Sequence, residues 1–367
     1  MALMPLPENL LTLGRAIAFL ALGSMAAVPQ LEAQAPPEIY RVSEVLSARG
    51  FDSIRVISFN NLGQFVGAMD GPGNRTHAFL WDIGVNHDLG TFGGAKSLAC
   101  GINDSTQIVG AYLTNNTRHA FLWQKGAIQD LGEIDNTPKL GFEGELYQGG
   151  PGQIYWTPQI AINNRGQVTG HLGDRSFLLS NGTLSFLGVA PSGQNFYAEQ
   201  VNDRGEILGR AVQSGGGMHP FLWREGQFVD FDQLVGSHAT PTAFNGRGEV
   251  IGTASSALGG SIRAFVWANN SLRWLAEAAD DLHPLAINNA GEVVGYARNP
   301  AGGQTACLWK AGRLYDLSPT LDLPAPWQPV AARGINDRGQ IWLTATNGLG
   351  PIRYFLLTPA IQAEVSR

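Results

Sequence analysis

Apolar and polar positions along this chain recur as a block rather than as a helical stripe. Each block opens with an apolar residue followed by Asn and a short turn that ends in Gly. A brief apolar run follows, then a second and longer one. The segment INDSTQIVGAYL (102–113) followed by RHAFLWQKGAIQDLG (118–132) is a full copy. Its relatives are FNNLGQFVG with HAFLW and HDLG, INNRGQVTG with RSFLL and SFLG, and VNDRGEILG with HPFLW and VDF. FNGRGEVIG with RAFVW, INNAGEVVG with TACLW and YDL, and INDRGQIWL with RYFLL complete the set. The aligned asparagines are Asn60, Asn103, Asn163, Asn202, Asn245, Asn288 and Asn336, spaced 43, 60, 39, 43, 43 and 48 residues apart. Self-similarity at such a period marks a repeat architecture.

Each repeat reads as four strands, A to D. Strand A ends in the apolar residue and Asn, and the A–B turn ends in Gly in six copies (Gly63, Gly166, Gly205, Gly248, Gly291, Gly339). Asn folds its side chain onto a turn backbone and Gly supplies positive φ at no steric cost. Strand B is the QIVG-like run and strand C the HAFLW-like run. A second Gly-containing turn (Lys125-Gly126, Glu225-Gly226, Ala311-Gly312) leads to strand D. The strand C runs do not alternate, and a continuous apolar strand is one covered on both faces. Sheets packed face to face around a ring give that environment. Seven A–B turns and seven C strands are followed by only six D strands, while Ile39–Leu46 (IYRVSEVL) precedes the first strand A. The predicted fold is therefore an all-β, seven-bladed β-propeller over residues 36–367. Strand 39–46 completes the last blade, and an insertion occupies 133–160.

Residues 56–357 resemble the bacterial HAF repeat family of extracellular proteins, through His77-Ala78-Phe79, His119-Ala120-Phe121 and the paired Ile-Asn-x-x-Gly motifs. The resemblance implies secretion, a propeller-like fold and no defined activity. Arg175, Arg263, Thr305 and Arg353 replace the His in four repeats, Leu343 replaces a strand B Gly, and Thr106 replaces a turn Gly.

The N-terminus departs from the repeat. Arg15, the apolar run 16–28 and Ala33-Gln34-Ala35 make residues 1–35 a candidate secretory signal. A secreted or periplasmic bacterial protein is expected, with no membrane span after cleavage. Net charge is −6 without any run of like charge, so no basic face for nucleic acid is present. Cys100 and Cys307 occupy different points of the repeat and are expected to remain unpaired thiols. A monomer is expected.

Candidate chemistry falls on the face formed by the D–A and B–C loops, which vary while the A–B and C–D turns repeat. Tyr147, Tyr155 and Trp156 in the insertion, with Tyr197 and Trp327 from other D–A loops, are the expected ligand-binding aromatics. Glu199 lies beside Tyr197. Asp280, Asp281 and His283, with Glu145 and a nearby His238, are the residues an enzyme would use for acid–base work. No metal or cofactor is expected. Structural calcium would need Asp104, Asp203 and Asp337, one acid per turn in three repeats. The pattern points to a secreted propeller that binds an extracellular glycan or protein. The alternatives are a polysaccharide lyase or glycoside hydrolase using the same face, and a structural surface protein. Convergent carboxylates, or a carboxylate with a His, would mark the enzyme.

Overall fold

The computed structural model describes residues 36, 38–73, 75–115, 117–134, 159–191, 193–212, 218–231, 239–255, 262–275, 281–298 and 303–360. Residues 147–149 and 153–155 are described in backbone only. Residues 33–367 form one compact unit; the candidate signal lies outside the described residues.

The chain is all-β and built of four-stranded antiparallel sheets. In the second repeat strands A to D run Lys96–Ile102, Ile108–Thr114, Thr117–Gln124 and Ala127–Ile134. Repeats three to six each form a separate sheet of the same order, and a single parallel bridge, Thr76 to Lys96, joins the sheets of the first two. The seventh sheet takes its fourth strand from the other end of the chain. Tyr40–Val45 runs antiparallel to Arg353–Pro359, with Tyr40 opposite Pro359 and Val45 opposite Tyr354. Lys310 anchors that segment by pairing with Glu38 and with Glu292, the latter at 2.8 Å.

Strand C shows why its apolar run is continuous. Phe79 and Trp81 pack into a core shared with Trp342, Tyr354 and Leu356 of the last repeat. Their neighbours Ala78 and Leu80 face the opposite way, into a core with Ala99, Ile108 and Phe121 of the second repeat. Successive side chains thus feed two different sheet interfaces, as strand geometry requires. The first and last repeats share a core in the same manner as sequence neighbours.

The His of the HAF motif is half of a pair between strands C and D. His77 Nδ1 lies 3.0 Å from Asp88, and His119 Nδ1 lies 3.0 Å from Asp130. Where Arg replaces His, its partner changes too: Arg175 lies 3.4 Å over the Phe186 ring and Arg263 4.4 Å over Trp274. In the seventh repeat Arg353 bonds Glu44 of the N-terminal strand at 3.0 Å. Glu44 stands opposite Phe355 as Asp88 stands opposite Phe79, so the borrowed strand supplies the partner that a strand D supplies elsewhere.

Candidate functional site

The contacts at both ends of strand A can be built from the strand itself. At the A–B turn end, each motif Asn is buried, with 2–5% of its surface exposed. Its Oδ1 accepts the backbone N–H groups two and four residues on, as in Arg165 and Gln167 for Asn163. Its Nδ2 donates to the Gln or Glu four residues on and to the backbone carbonyl of the next motif Asn. These inter-repeat bonds are 2.7–3.2 Å long and run from Asn60 through each repeat to Asn336, whose amide returns to the Asn60 carbonyl at 3.0 Å.

A second circuit lies beside the first. The backbone N–H of Asn61 donates to Asp104 Oδ1, that of Asp104 to Asn164 Oδ1, and that of Asn164 to Asp203 Oδ1. The chain of bonds stops at Gly246, which has no side chain, and resumes through Asn289, Asp337 and Asn61. The turn acids considered for calcium therefore receive amide donors from adjoining turns. Asp104 and Asp337 each accept on both oxygens. Among the described residues no group of three or more His, Cys, Asp or Glu could hold a metal ion. A polar cavity of about 240 Å³ lies between these rings and the apolar residues that precede each Asn.

The other end is shaped by a β-bulge. In six repeats strand A slips register three residues before the motif Asn, leaving Ile57, Cys100, Glu199, Thr242, Leu285 and Arg333 as the extra residues. Ile160 holds the same place in the third repeat. A bulge bends the strand and re-aims a side chain. All seven of these residues line one cavity of about 700 Å³ at the D–A and B–C end of the axis. Strand B makes room for the bulge with its recurring Gly. A Cβ at Gly209 would stand 2.2 Å from the Tyr197 carbonyl oxygen, and one at Gly295 would stand 2.0 Å from that of His283. Those are impossible contacts, so only Gly fits there.

Glu199 and Arg210 form the ion pair of this cavity, Arg210 Nε to Glu199 Oε1 at 3.2 Å. Burial pushes the Glu199 carboxyl up from its ordinary range, and Arg210 opposes the shift. The two partners differ in exposure, 12% for Glu199 and 31% for Arg210, so the guanidinium is the more open of the pair. His283 also lines the cavity. Its ring stacks on Tyr296 at 4.6 Å, and its Nε2 lies 2.6 Å from Asp281 Oδ1. Cys100 lines the wall as a thiol whose pKa burial raises to about 12; it and Cys307 are both free.

The candidate residues distribute unevenly over this geometry. Of the acid–base candidates His283 lines the cavity and Asp281 sits behind it, while Asp280, Glu145 and His238 lie outside the described residues. Tyr147 and Tyr155 stand opposite one another in a short hairpin within the insertion. Their side chains, and Trp156, lie outside the described residues. Tyr197 and Trp327 do not line the cavity. Tyr197 is 8% exposed with its ring 5.3 Å from that of His171, and Trp327 is 9% exposed beneath the Arg353 guanidinium. The bulge residues, Arg210 and Tyr296 escape a sequence reading. The strand B Gly is the available signal, because it marks where strand A presses against its neighbour.

No family model matches the chain, and the search of curated proteins finds no match. Solved structures do match. The β-propeller domain of the Trilobed protease from Pyrococcus furiosus aligns over 85% of this chain and 94% of that one, with 7% identity and a TM-score of 0.54. That domain is described as having an open velcro topology. An acylaminoacyl peptidase from Pyrococcus horikoshii aligns over 82% of this chain and 50% of that one, with 10% identity and a TM-score of 0.52. At such identity the likeness concerns the fold alone, and that fold is a β-propeller.

Proposed function

We propose that the chain is a secreted, seven-bladed propeller of the HAF repeat kind that binds a ligand or an extended protein segment in its axial cavity. One observation carries the binding reading. Seven residues of six types, one per repeat, line a single 700 Å³ space, while the motif Asn three residues further on is the same in every repeat. That volume falls within the range of small-molecule sites. The test is a glycan and peptide panel screened against the wild type and Thr242→Trp, which fills the cavity from a bulge position. Binding lost with an unchanged melting temperature supports the site; hits indifferent to the tryptophan rule it out.

The pairing of Tyr40–Val45 with Arg353–Pro359, the Arg353–Glu44 bond and the returning Asn circuit support seven blades closed by the N-terminal strand. Deleting residues 36–46 should bare the edge of Arg353–Pro359 and cause aggregation. A variant that stays monomeric with the wild-type melt would overturn that closure. Secretion rests on residues 1–35, and the N-terminus of the protein recovered from culture medium tests it.

The enzyme reading also has an observation in its favour. Glu199, a carboxyl whose pKa burial raises, shares the cavity with His283. Perturbed titratable groups in a cleft favour acid–base chemistry. Product release from a panel glycan, abolished in Glu199→Gln, would establish a lyase or hydrolase; bound glycan recovered intact would leave a binding protein.

A further inference from the structure

Resting on the axial cavity as the binding site, we propose that it takes a ligand bearing a single carboxylate joined directly to an apolar body, with the carboxylate on Arg210. Arg210 spends its Nε edge on Glu199, and its Nη groups have no partner among the described residues. The side chain is nearly one-third exposed and lines the cavity. A guanidinium with an open edge of two parallel donors matches the geometry of a carboxylate. Thr240, Thr242 and Thr253 line the same cavity and carry hydroxyl groups that can donate to a carboxylate oxygen.

Charge selects against the alternatives. The formal charges among the described lining residues are Glu199 against Arg210 and Arg333, on a chain of net charge −6. A cationic head would meet two guanidiniums. A dianion such as a phosphomonoester seated on Arg210 would meet the Glu199 carboxylate that already pairs with it, so one negative charge is what the Arg210 side of the cavity accommodates.

Much of the remaining wall is apolar, interrupted by Ser58, Gln159, Gln200 and His283. Ile57, Cys100 and Ile160 stand three residues before the motif Asn in three consecutive repeats, and Leu285 and Trp342 add to them. A wholly polar ligand would leave this surface without a partner, whereas an apolar body removes it from water at about 25 cal/mol per Å².

Two sources supply such chemistry: a free amphipathic acid, and the C-terminus of a chain ending in an apolar residue. The probes are 4-phenylbutyrate and N-acetylated Gly-Gly-Leu, each compared with its carboxamide and with phenyl phosphate, by titration calorimetry on the full mature chain. At least one carboxylate should bind about tenfold more tightly than its amide, the worth of one charge-assisted contact. Which one binds identifies the source. Arg210→Gln should bring acid and amide to equal affinity. Glu199→Gln should tighten the acid, an outcome that damaged folding cannot produce. Amides binding as well as acids, phenyl phosphate binding best, or Arg210→Gln leaving the acid unaffected would each overturn the proposal. If no acid binds while a panel ligand is lost in Thr242→Trp, the carboxylate assignment fails and the cavity stands. If no ligand responds to Thr242→Trp, the cavity reading itself fails and takes this proposal with it.

Discussion

The two ends of strand A solve opposite problems with residues only three positions apart. At the A–B turn end every repeat uses the same Asn in the same four hydrogen bonds, and the bonds run from one repeat to the next around the axis. At the other end the residue three before the Asn is Ile, Cys, Ile, Glu, Thr, Leu and Arg in turn, and each lines the cavity. The first end is uniform because three of the four partners are backbone groups, the same in every repeat, and the fourth is the side-chain oxygen of a Gln or Glu. The second can vary because its side chains face open space. A series of identical contacts from repeat to repeat thus holds a series of unlike side chains three residues away.

The largest expected effect tests the uniform end. Asn163→Ala removes acceptors from the N–H groups of Arg165 and Gln167 and donors from Gln167 Oε1 and the Asn202 carbonyl. Each buried group left unsatisfied costs about 1–3 kcal/mol, with water recovering part at this partly open site. A net loss of roughly 3 kcal/mol is expected from chemical denaturation, with cavity ligands still bound by the folded fraction. A loss below about 1 kcal/mol would mean that the circuit is not what holds adjacent repeats together.

Gly209→Ala carries the test to the variable end. Its Cβ would lie 2.2 Å from the Tyr197 carbonyl oxygen and 2.6 Å from the Phe196 ring. Strand A must move, and overpacking of this kind costs about 1–3 kcal/mol. Because the displaced segment carries Glu199, this variant should lose ligand as well as stability. Asn163→Ala should lose stability alone. If Gly209→Ala binds normally, the bulge does not position the cavity residues.

This contrast also explains what could be read without coordinates. The repeat, its four strands and the turn role of Asn were legible because each recurs and each has a local physical cause. Most of the residues three before the motif Asn were not, because a position that holds Ile, Cys, Glu, Thr, Leu or Arg leaves no trace in a repeat pattern. The bulge compounds the difficulty. Side chains alternate along a strand, so counting back from Asn202 by twos assigns the wrong face to everything beyond the slip at Glu199. Tyr197, expected at the ligand face as part of a D–A loop, lies instead in strand A (Phe196–Val201) and packs near His171. Trp327 lies outside the repeat for an ordinary reason: it fills a core with Leu317, Ala332 and Phe355.

The smallest effect concerns the one A–B turn that departs from its siblings. Thr106 has φ of 57° where the other six turns place Gly at 70–79°. A β-branched residue in the left-handed region costs on the order of 1–2 kcal/mol. Against that strain, Thr106 Oγ1 donates to Gln64 Oε1 of the preceding repeat at 3.0 Å, a bond worth about 0.5–1.5 kcal/mol net. Thr106→Gly relieves the strain, loses the bond and adds backbone freedom to the unfolded chain, worth about 0.5–1 kcal/mol. These contributions nearly cancel, so a stability change below about 1 kcal/mol is expected. Thr106→Val keeps the branching and the strain while deleting the donor, and should lose about 1 kcal/mol. The difference between the two variants measures how far an extra bond between repeats compensates for a poor turn residue. If Thr106→Gly proves the more damaging, the hydroxyl contributes more to the junction of the first two repeats than its single bond accounts for.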